Sequence, residues 1–307
     1  MVKILIIKLG YSETLDSEIS KTVSLGDVLR TTPLLEALKE KYPESKIIFL
    51  ADIKAKDLVD GNPYIDKLLL WDEFIGFLLL REKFDVVINL EKHPGICALT
   101  DMIDAWQKFG FRLGKDFSFA EYEKNVSFID YINNKQLKKD YWQKVLIEHL
   151  GIQWKEQKYS LGYMPKNETV FDIGLNFQVG SKWPTKAMSK SKWDALYNTL
   201  TSQGYIVDWQ RGLNSIKEYI EWINSAKLII TQDSLGLHLA MALDKKVIAL
   251  FGSTGYDEVF PYGEVVFITP NTQCPKSPCY QAYCDYTEFC MDTIELETIT
   301  AAVKGIL

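Results

Sequence analysis

Continuous apolar runs recur along the first half of the chain. VKILIIKL (2–9), KIIFLAD (46–52), KLLLWD (67–72) and DVVINL (85–90) read as strands buried on both faces, as in a parallel sheet. Between them the apolar positions switch to helical spacing. Val28, Leu29, Leu34, Leu35 and Leu38 mark one helix, and shorter patterns near Ala55–Asp60 and 73–82 mark two more. Pro33 falls inside the first pattern, so the helix either kinks there or begins there. YSETLDSEISKTV (11–23) is polar and irregular, which predicts an exposed loop, and Gly61-Asn62-Pro63 predicts a turn. This β-α-β-α-β rhythm predicts a doubly wound parallel sheet. The stretch 101–150 is expected to be mostly helical, closing at Gly151.

After a polar junction at 153–169 the rhythm restarts. FDIGLNF (171–177), YIVDWQ (205–210), KLIITQD (227–233) and KVIALFG (246–252) are expected strands. Lys190–Gln203, SIKEYIEWINSA and SLGLHLAMAL are the expected helices between them, and LETITAAVKGIL closes the chain as another. Two Rossmann-like halves follow, an N-terminal domain over 1–160 and a C-terminal domain over 161–307.

Composition narrows the class. At 307 residues, with 47% hydrophobic and 25% charged positions, the chain can form two globular cores. A net charge of −6 argues against general nucleic-acid binding, which needs a basic face. No run of eighteen apolar residues predicts a membrane span. The opening MVKILIIKLG lacks a small-residue cleavage site and reads as a strand, so a cytoplasmic location is expected.

Three stretches could carry chemistry. Asp27 follows Gly26 where the first helix begins, after the first strand. A carboxylate there either serves the helix N-terminus or stands where open α/β folds keep their active sites. In TQDSLGLHLAMAL a buried strand ends at Asp233, and Ser234-Leu235-Gly236 opens a helix. Free backbone N–H groups there make an anion site, and glycine permits close approach. In NFQVGSKWPTKAMSKSKW, Lys182 stands in a strand-to-helix loop as a candidate phosphate clamp. There is no GxGxxG fingerprint and no GxxxxGK[ST] loop, so nicotinamide-cofactor and P-loop readings lose support. His238, one turn past the anion site, also reads as a core histidine.

The ordered set SLGDVLRTTPLLEAL, KWP, DSLGLHLAMAL–KKVIALFGST and CMDTI resembles glycosyltransferase family 9, the heptosyltransferases of bacterial surface polysaccharides. The resemblance spans nearly the whole chain. It implies the GT-B form of the α/β class, two Rossmann-like domains facing across a cleft, acceptor on the first and nucleotide sugar on the second. It further implies an inverting, metal-independent transfer with Asp27 as general base. Lys182, Asp233, Ser234, Leu235 and Gly236 would hold the donor diphosphate, with Gly26, Arg30 and Thr254 lining the site. ADP-heptose is the first donor to test, and the acceptor would be a surface-polysaccharide or lipid-linked saccharide. A lipid-linked acceptor would bring the protein to the inner face of the membrane as a peripheral contact. The alternative is a non-catalytic sugar-nucleotide sensor or scaffold on the same fold.

The chain departs from the family pattern in three places. YSETLDSEISKTV lengthens the approach to Gly26-Asp27, and Leu235 stands where glycine is usual, with Gly236 one place later. The segment between VDWQRG and SIKEYIEW is short, and a helix and strand that would flank the ribose and base are missing from it.

Four of the five cysteines, Cys274, Cys279, Cys284 and Cys290, fall in one loop with four, four and five residues between them. In a reducing compartment four thiolates could hold a structural zinc or iron, although the spacing lacks CxxC pairs; free thiols are the other reading. Cys97 stands alone and reads as a small core residue.

Overall fold

The computed structural model describes every residue except 12–21, 117, 123–124, 135–139, 211 and 213. Most of the polar loop expected at 11–23 therefore lies outside the described residues. The chain forms two compact units, Met1–Tyr163 and Met164–Leu307.

The first unit is built on strands β1 (Lys3–Ile7), β2 (Lys46–Ala51), β3 (Lys67–Leu70), β4 (Lys83–Asn89), β5 (Asp104–Leu113) and β6 (Phe119–Glu121). They lie in the order β3-β2-β1-β4-β5-β6, parallel except for the antiparallel β5–β6 pair. Its helices are α1 (Leu25–Leu29), α2 (Pro33–Lys41), α3 (Lys56–Val59), α4 (Ile75–Leu79), α5 (Pro94–Met102), α6 (Phe128–Asn133) and α7 (Trp142–His149). Pro33 is the first residue of α2, where its missing N–H costs nothing, and α1 and α2 are separate helices. Alternation divides the strand side chains between two buried faces. Leu5, Ile7, Ile48 and Leu50 pack on Ile75, Leu79 and Ile96 of α4 and α5, while Ile4, Ile6, Ile47 and Phe49 are buried on the opposite face.

The expectation of a mostly helical 101–150 is corrected by β5, a ten-residue strand, and by the short β6. The first half of β5 alternates poorly because Asp104, Trp106 and Gln107 are exposed there. Its interior Gly110 has φ +87°, and an added Cβ would run into the carbonyl of Asn89 on β4.

The second unit holds β7 (Phe171–Asn176), β8 (Val207–Trp209), β9 (Ala226–Gln232), β10 (Lys246–Leu250) and β11 (Val265–Ile268), all paired in parallel in the order β11-β10-β9-β7-β8. The helices are α8 (Lys190–Ser202), α9 (Ile216–Asn224), α10 (Leu235–Ala242) and α11 (Leu296–Ile306). β11, before the cysteine loop, has no counterpart among the expected strands. Trp193, Leu196 and Leu200 of α8 and Ile299 and Val303 of α11 cover Ile173, Leu175, Leu228 and Ile230. Each such fully buried side chain contributes about 1.5–3 kcal/mol. The strand order reverses between β7 and β9, and open α/β sheets bind ligands beyond the strand ends at such a reversal.

Candidate functional site

In the first unit, the chain leaving β1 is held by a buried carboxylate. Glu91, just after β4, is fully buried; its oxygens accept N–H bonds from Leu9 (2.9 Å), Gly10 (2.8 Å) and Tyr11 (3.0 Å). Lys8 Nζ lies 3.0 Å from the same carboxylate. Gly10 has φ +83°, and its carbonyl accepts from the backbone N–H of Ser24 (2.7 Å), the residue that caps α1. A side chain on Gly10 would sit 2.8 Å from the Ser24 carbonyl, so glycine is what lets α1 start this close to the strand end.

Gly26 and Asp27 therefore stand on a short helix anchored to the carboxyl end of β1. Ser24, not Asp27, occupies the N-cap. The Asp27 side chain is 46% exposed, with Arg30 Nη1 3.8 Å from its Oδ1. Further along the chain leaving β1, Tyr11 donates to Asp52 Oδ2 (2.9 Å), and burial, followed by that contact, raises the phenol's pKa.

In the second unit the polar groups converge where β7 and β9 part. Asp233 follows β9 directly. Lys186 Nζ lies 2.6 Å from Asp233 Oδ2, and Thr254, in the loop after β10, donates to the same oxygen at 2.7 Å. Burial alone would push the Asp233 carboxyl up, but Lys186, His238 and the two hydrogen bonds outweigh it and hold the pKa down at about 2. The ammonium of Lys186 uses one of its three N–H donors on Asp233. Lys182 sits four residues earlier, in a turn closed by the Trp183 N–H on the Gly180 carbonyl (3.1 Å), with no ion pair among the described residues. Sequence reasoning missed Lys186; nothing local to PTKAM marks it, because its partner lies 47 residues away, just past the end of β9.

The first turn of α10 leaves the N–H groups of Leu235 and Gly236 without intrahelical partners. The Ser234 hydroxyl is turned inward: Asn176, at the end of β7, donates to it (3.0 Å) and to Thr231 (2.7 Å), and Tyr219 of α9 donates to Asn176 (2.6 Å). Gly236 packs against this cluster so closely that a Cβ would overlap Asn176 and Tyr219. An anion at the start of α10 would therefore meet backbone donors with Lys186 held at the neighbouring Asp233, while Ser234 fixes the helix start. His238 is buried on the same helix.

The cysteine loop roofs the 252–255 turn. Tyr280 N–H and Ser277 Oγ donate to the carbonyls of Ser253 (2.7 Å) and Gly252 (3.2 Å), and the Cys279 thiol approaches the Ser253 carbonyl at 3.9 Å. Burial, and then the nearby thiols of Cys279, Cys284 and Cys274, push Cys290 up to about 11. The four are free thiols, and the described residues contain no group of three or more His, Cys, Asp or Glu arranged to hold a metal. The tetrathiolate expected at Cys274, Cys279, Cys284 and Cys290 is not assembled, so the loop does not fit a metal as it stands. Cys97 is buried, donating to the Glu91 carbonyl at 3.2 Å, and burial pushes it up to about 12.

No helix among the described residues is long and apolar enough to cross a membrane.

Two Rossmann-like α/β units, each with its own mainly parallel sheet, match the GT-B fold. The model of glycosyltransferase family 9 (heptosyltransferase) matches residues 212–289. Lipopolysaccharide heptosyltransferase 1 of Campylobacter coli is 22% identical over 92% of this chain and 96% of its own length. The solved glycosyl transferase family 9 protein from Veillonella parvula DSM 2008 is 19% identical, with a TM-score of 0.70 over 99% of this chain and 97% of that one. E. coli heptosyltransferase WaaC with ADP is 13% identical, with a TM-score of 0.66 over the full length of both chains. The chain is heptosyltransferase-like, with the family 9 likeness carried by residues 212–289 and a similar fold over its whole length.

Proposed function

We propose that the chain is an inverting, metal-independent glycosyltransferase that moves heptose from ADP-heptose to a hydroxyl of a surface-polysaccharide or lipid-linked saccharide. The carrying observation is the Lys186–Asp233–Thr254 cluster beside the N-terminus of α10. That cluster offers a fixed positive charge and unpaired backbone N–H groups to a departing diphosphate. A relative named as a lipopolysaccharide heptosyltransferase and a similar fold solved with ADP support the choice of donor.

The second unit would take the nucleotide sugar and the first the acceptor. Asp27 accepts the proton of the acceptor hydroxyl as its oxygen bonds to the anomeric carbon. The bond from that carbon to the diphosphate oxygen breaks, and its electron pair leaves with the nucleoside diphosphate. Lys186 and the N–H groups of Leu235 and Gly236 stabilise that charge. Lys182, on the same loop as Lys186, adds a second cation. A single displacement inverts the anomeric centre.

A panel of nucleoside diphosphates assayed by thermal shift, followed by turnover with ADP-heptose, tests the reading. ADP should raise the melting temperature of the wild-type chain and not of Lys186→Ala. Binding with no release of ADP from ADP-heptose, for any saccharide acceptor offered, would favour the sensor alternative.

A further inference from the structure

WDEFIGFLLLRE (71–82) departs from the pattern of a surface helix, which keeps its outward face polar. Within α4 only Ile75 and Leu79 are buried. Phe77 is 70% exposed, and Phe74 and Leu78 are each more than half exposed. The helix start is fixed in place, because the Asp72 carboxylate accepts the N–H groups of Phe74 (2.8 Å) and Ile75 (2.7 Å). The apolar face is therefore presented to solvent by an anchored element.

The patch continues onto α5 and β5. A Cβ built on Gly76 would meet Leu99 of α5 at 3.6 Å, so α4 and α5 lie side by side there. Met102 stands one turn beyond Leu99, and Trp106 is the third residue of β5. Both helices hand the chain to neighbouring strands, Lys83 of β4 pairing in register with Asp104 of β5. The end of α4, the end of α5 and Trp106 thus gather at the amino end of the sheet, where Trp106 is 93% exposed and Met102 more than half exposed. Phe74, Phe77, Leu78, Met102 and Trp106 together present roughly 700 Å² of apolar area, at about 150–250 Å² for a large side chain. That exceeds the about 300–600 Å² of the largest patch on an ordinary monomer, and it approaches the roughly 800 Å² that each partner gives to a stable interface.

We propose that this face is where a second copy of the chain docks, α4 against α4 about a two-fold axis. A two-fold contact must be complementary to itself, and the charges at the two ends of α4 are. Glu73 stands just before the helix and Arg81 just after it, both exposed. Antiparallel apposition sets Glu73 of each copy against Arg81 of the other, with Phe77 and Leu78 at the apolar centre. The other acids near Arg81 are already engaged. Glu82 pairs with the Lys3 side chain, Asp85 accepts the Lys3 backbone N–H (2.7 Å), and Asp104 lies 3.6 Å from Lys83. A lipid surface suits the patch less well. From 71 to 106 acidic residues outnumber Lys and Arg by seven to three, the reverse of what an anionic leaflet attracts.

Sedimentation velocity on the full chain over a concentration series tests this. Wild type should show a reversible monomer–dimer equilibrium. Phe77→Asp and Trp106→Ser, both at exposed positions, should each raise the dimer Kd about tenfold or more, the loss expected for an aromatic anchor. Glu73→Arg or Arg81→Glu alone should weaken the dimer several-fold by setting like charges together, and the two combined should restore it. A misfolded chain would show no such rescue. A dimer that persists in both Phe77→Asp and Trp106→Ser places the contact elsewhere and overturns the proposal, and failure of the double exchange to recover overturns the two-fold apposition. A wild-type chain that stays monomeric at every concentration also overturns it. If that monomer co-sediments with phosphatidylglycerol–phosphatidylethanolamine vesicles and Phe77→Asp does not, the patch belongs to a membrane instead.

Discussion

Lys186 Nζ lies 2.6 Å from Asp233 Oδ2 and sets a fixed cation against the start of α10. Lys182, four residues earlier, carries the same charge without that anchor. Lys186→Ala should therefore reduce affinity for a nucleoside diphosphate by tenfold or more, whereas Lys182→Ala should cost several-fold less. Calorimetric titration with ADP reads both. Equal losses, or a larger one in Lys182→Ala, would remove Lys186 from its assigned role.

Asp233 carries a pH signature. Its carboxyl is held at about 2 in the folded chain. An unfolded aspartate titrates near ~3.9, so the ionised form is favoured by folding. Its stabilising contribution is complete above about pH 4 and is lost as pH falls through about 2, amounting to about 2–3 kcal/mol at neutral pH. Asp233→Asn should thus be less stable than wild type at pH 6, and the gap should narrow from pH 4 downward. Urea unfolding at pH 6 and pH 3 measures it; a gap that widens at pH 3 contradicts the assignment.

Asp27 should separate binding from chemistry. Its carboxylate is half-exposed, and Arg30 stands at 3.8 Å. Removing the carboxylate leaves the diphosphate site proposed for the second unit untouched. Asp27→Asn should keep ADP affinity within about twofold while turnover falls by roughly 10²–10⁴, the usual range for a lost general base. Unchanged turnover would leave Asp27 a helix residue only.

Periodicity made the two α/β units legible because their central strands are buried on both faces and read as unbroken apolar runs. β5 escaped for the opposite reason: Asp104, Trp106 and Gln107 are exposed, so no run forms. The site was half legible. Asp233 and the glycine opening α10 are local signals, whereas Lys186 acquires meaning only from a partner 47 residues away. Ser234 looked like a ligand donor because serine at a helix start usually serves polar groups nearby, and the neighbours that occupy it, Asn176 and Tyr219, come from other elements. Glu91 gave no signal at all, since a single glutamate after a strand says nothing about the three N–H groups that fold back onto it.

Glu91 should be one of the costlier residues to remove from the first unit. Glu91→Ala leaves Lys8 without its carboxylate and strips the N–H groups of Leu9, Gly10 and Tyr11 of their acceptor. Breaking a buried ion pair from one side costs about 3–5 kcal/mol. Glu91→Gln keeps one acceptor oxygen and should cost less. Denaturant unfolding that finds Glu91→Ala within about 0.5 kcal/mol of wild type, the scatter of ordinary surface changes, would show that the strand end does not depend on it.

The cysteine loop makes a prediction about rates. Cys284 is exposed, Cys274 and Cys279 are half-buried, and Cys290 and Cys97 are buried with pKa values pushed up to about 11 and about 12. The thiolate is the reactive form, so both burial and a raised pKa slow a thiol reagent. Dithionitrobenzoate at pH 8 should titrate Cys284 first, Cys274 and Cys279 next, and Cys290 and Cys97 only on unfolding. Cys284→Ser should delete the fastest phase alone. If Cys274, Cys279, Cys284 and Cys290 all stayed silent until a chelator was added, and elemental analysis found zinc or iron at one atom per chain, the four sulfurs would close on a metal that their present arrangement does not hold. That result would replace the free-thiol description of the loop. Graded reactivity with no stoichiometric metal would confirm that hydrogen bonds from Ser277 and Tyr280 fasten the loop over Gly252 and Ser253.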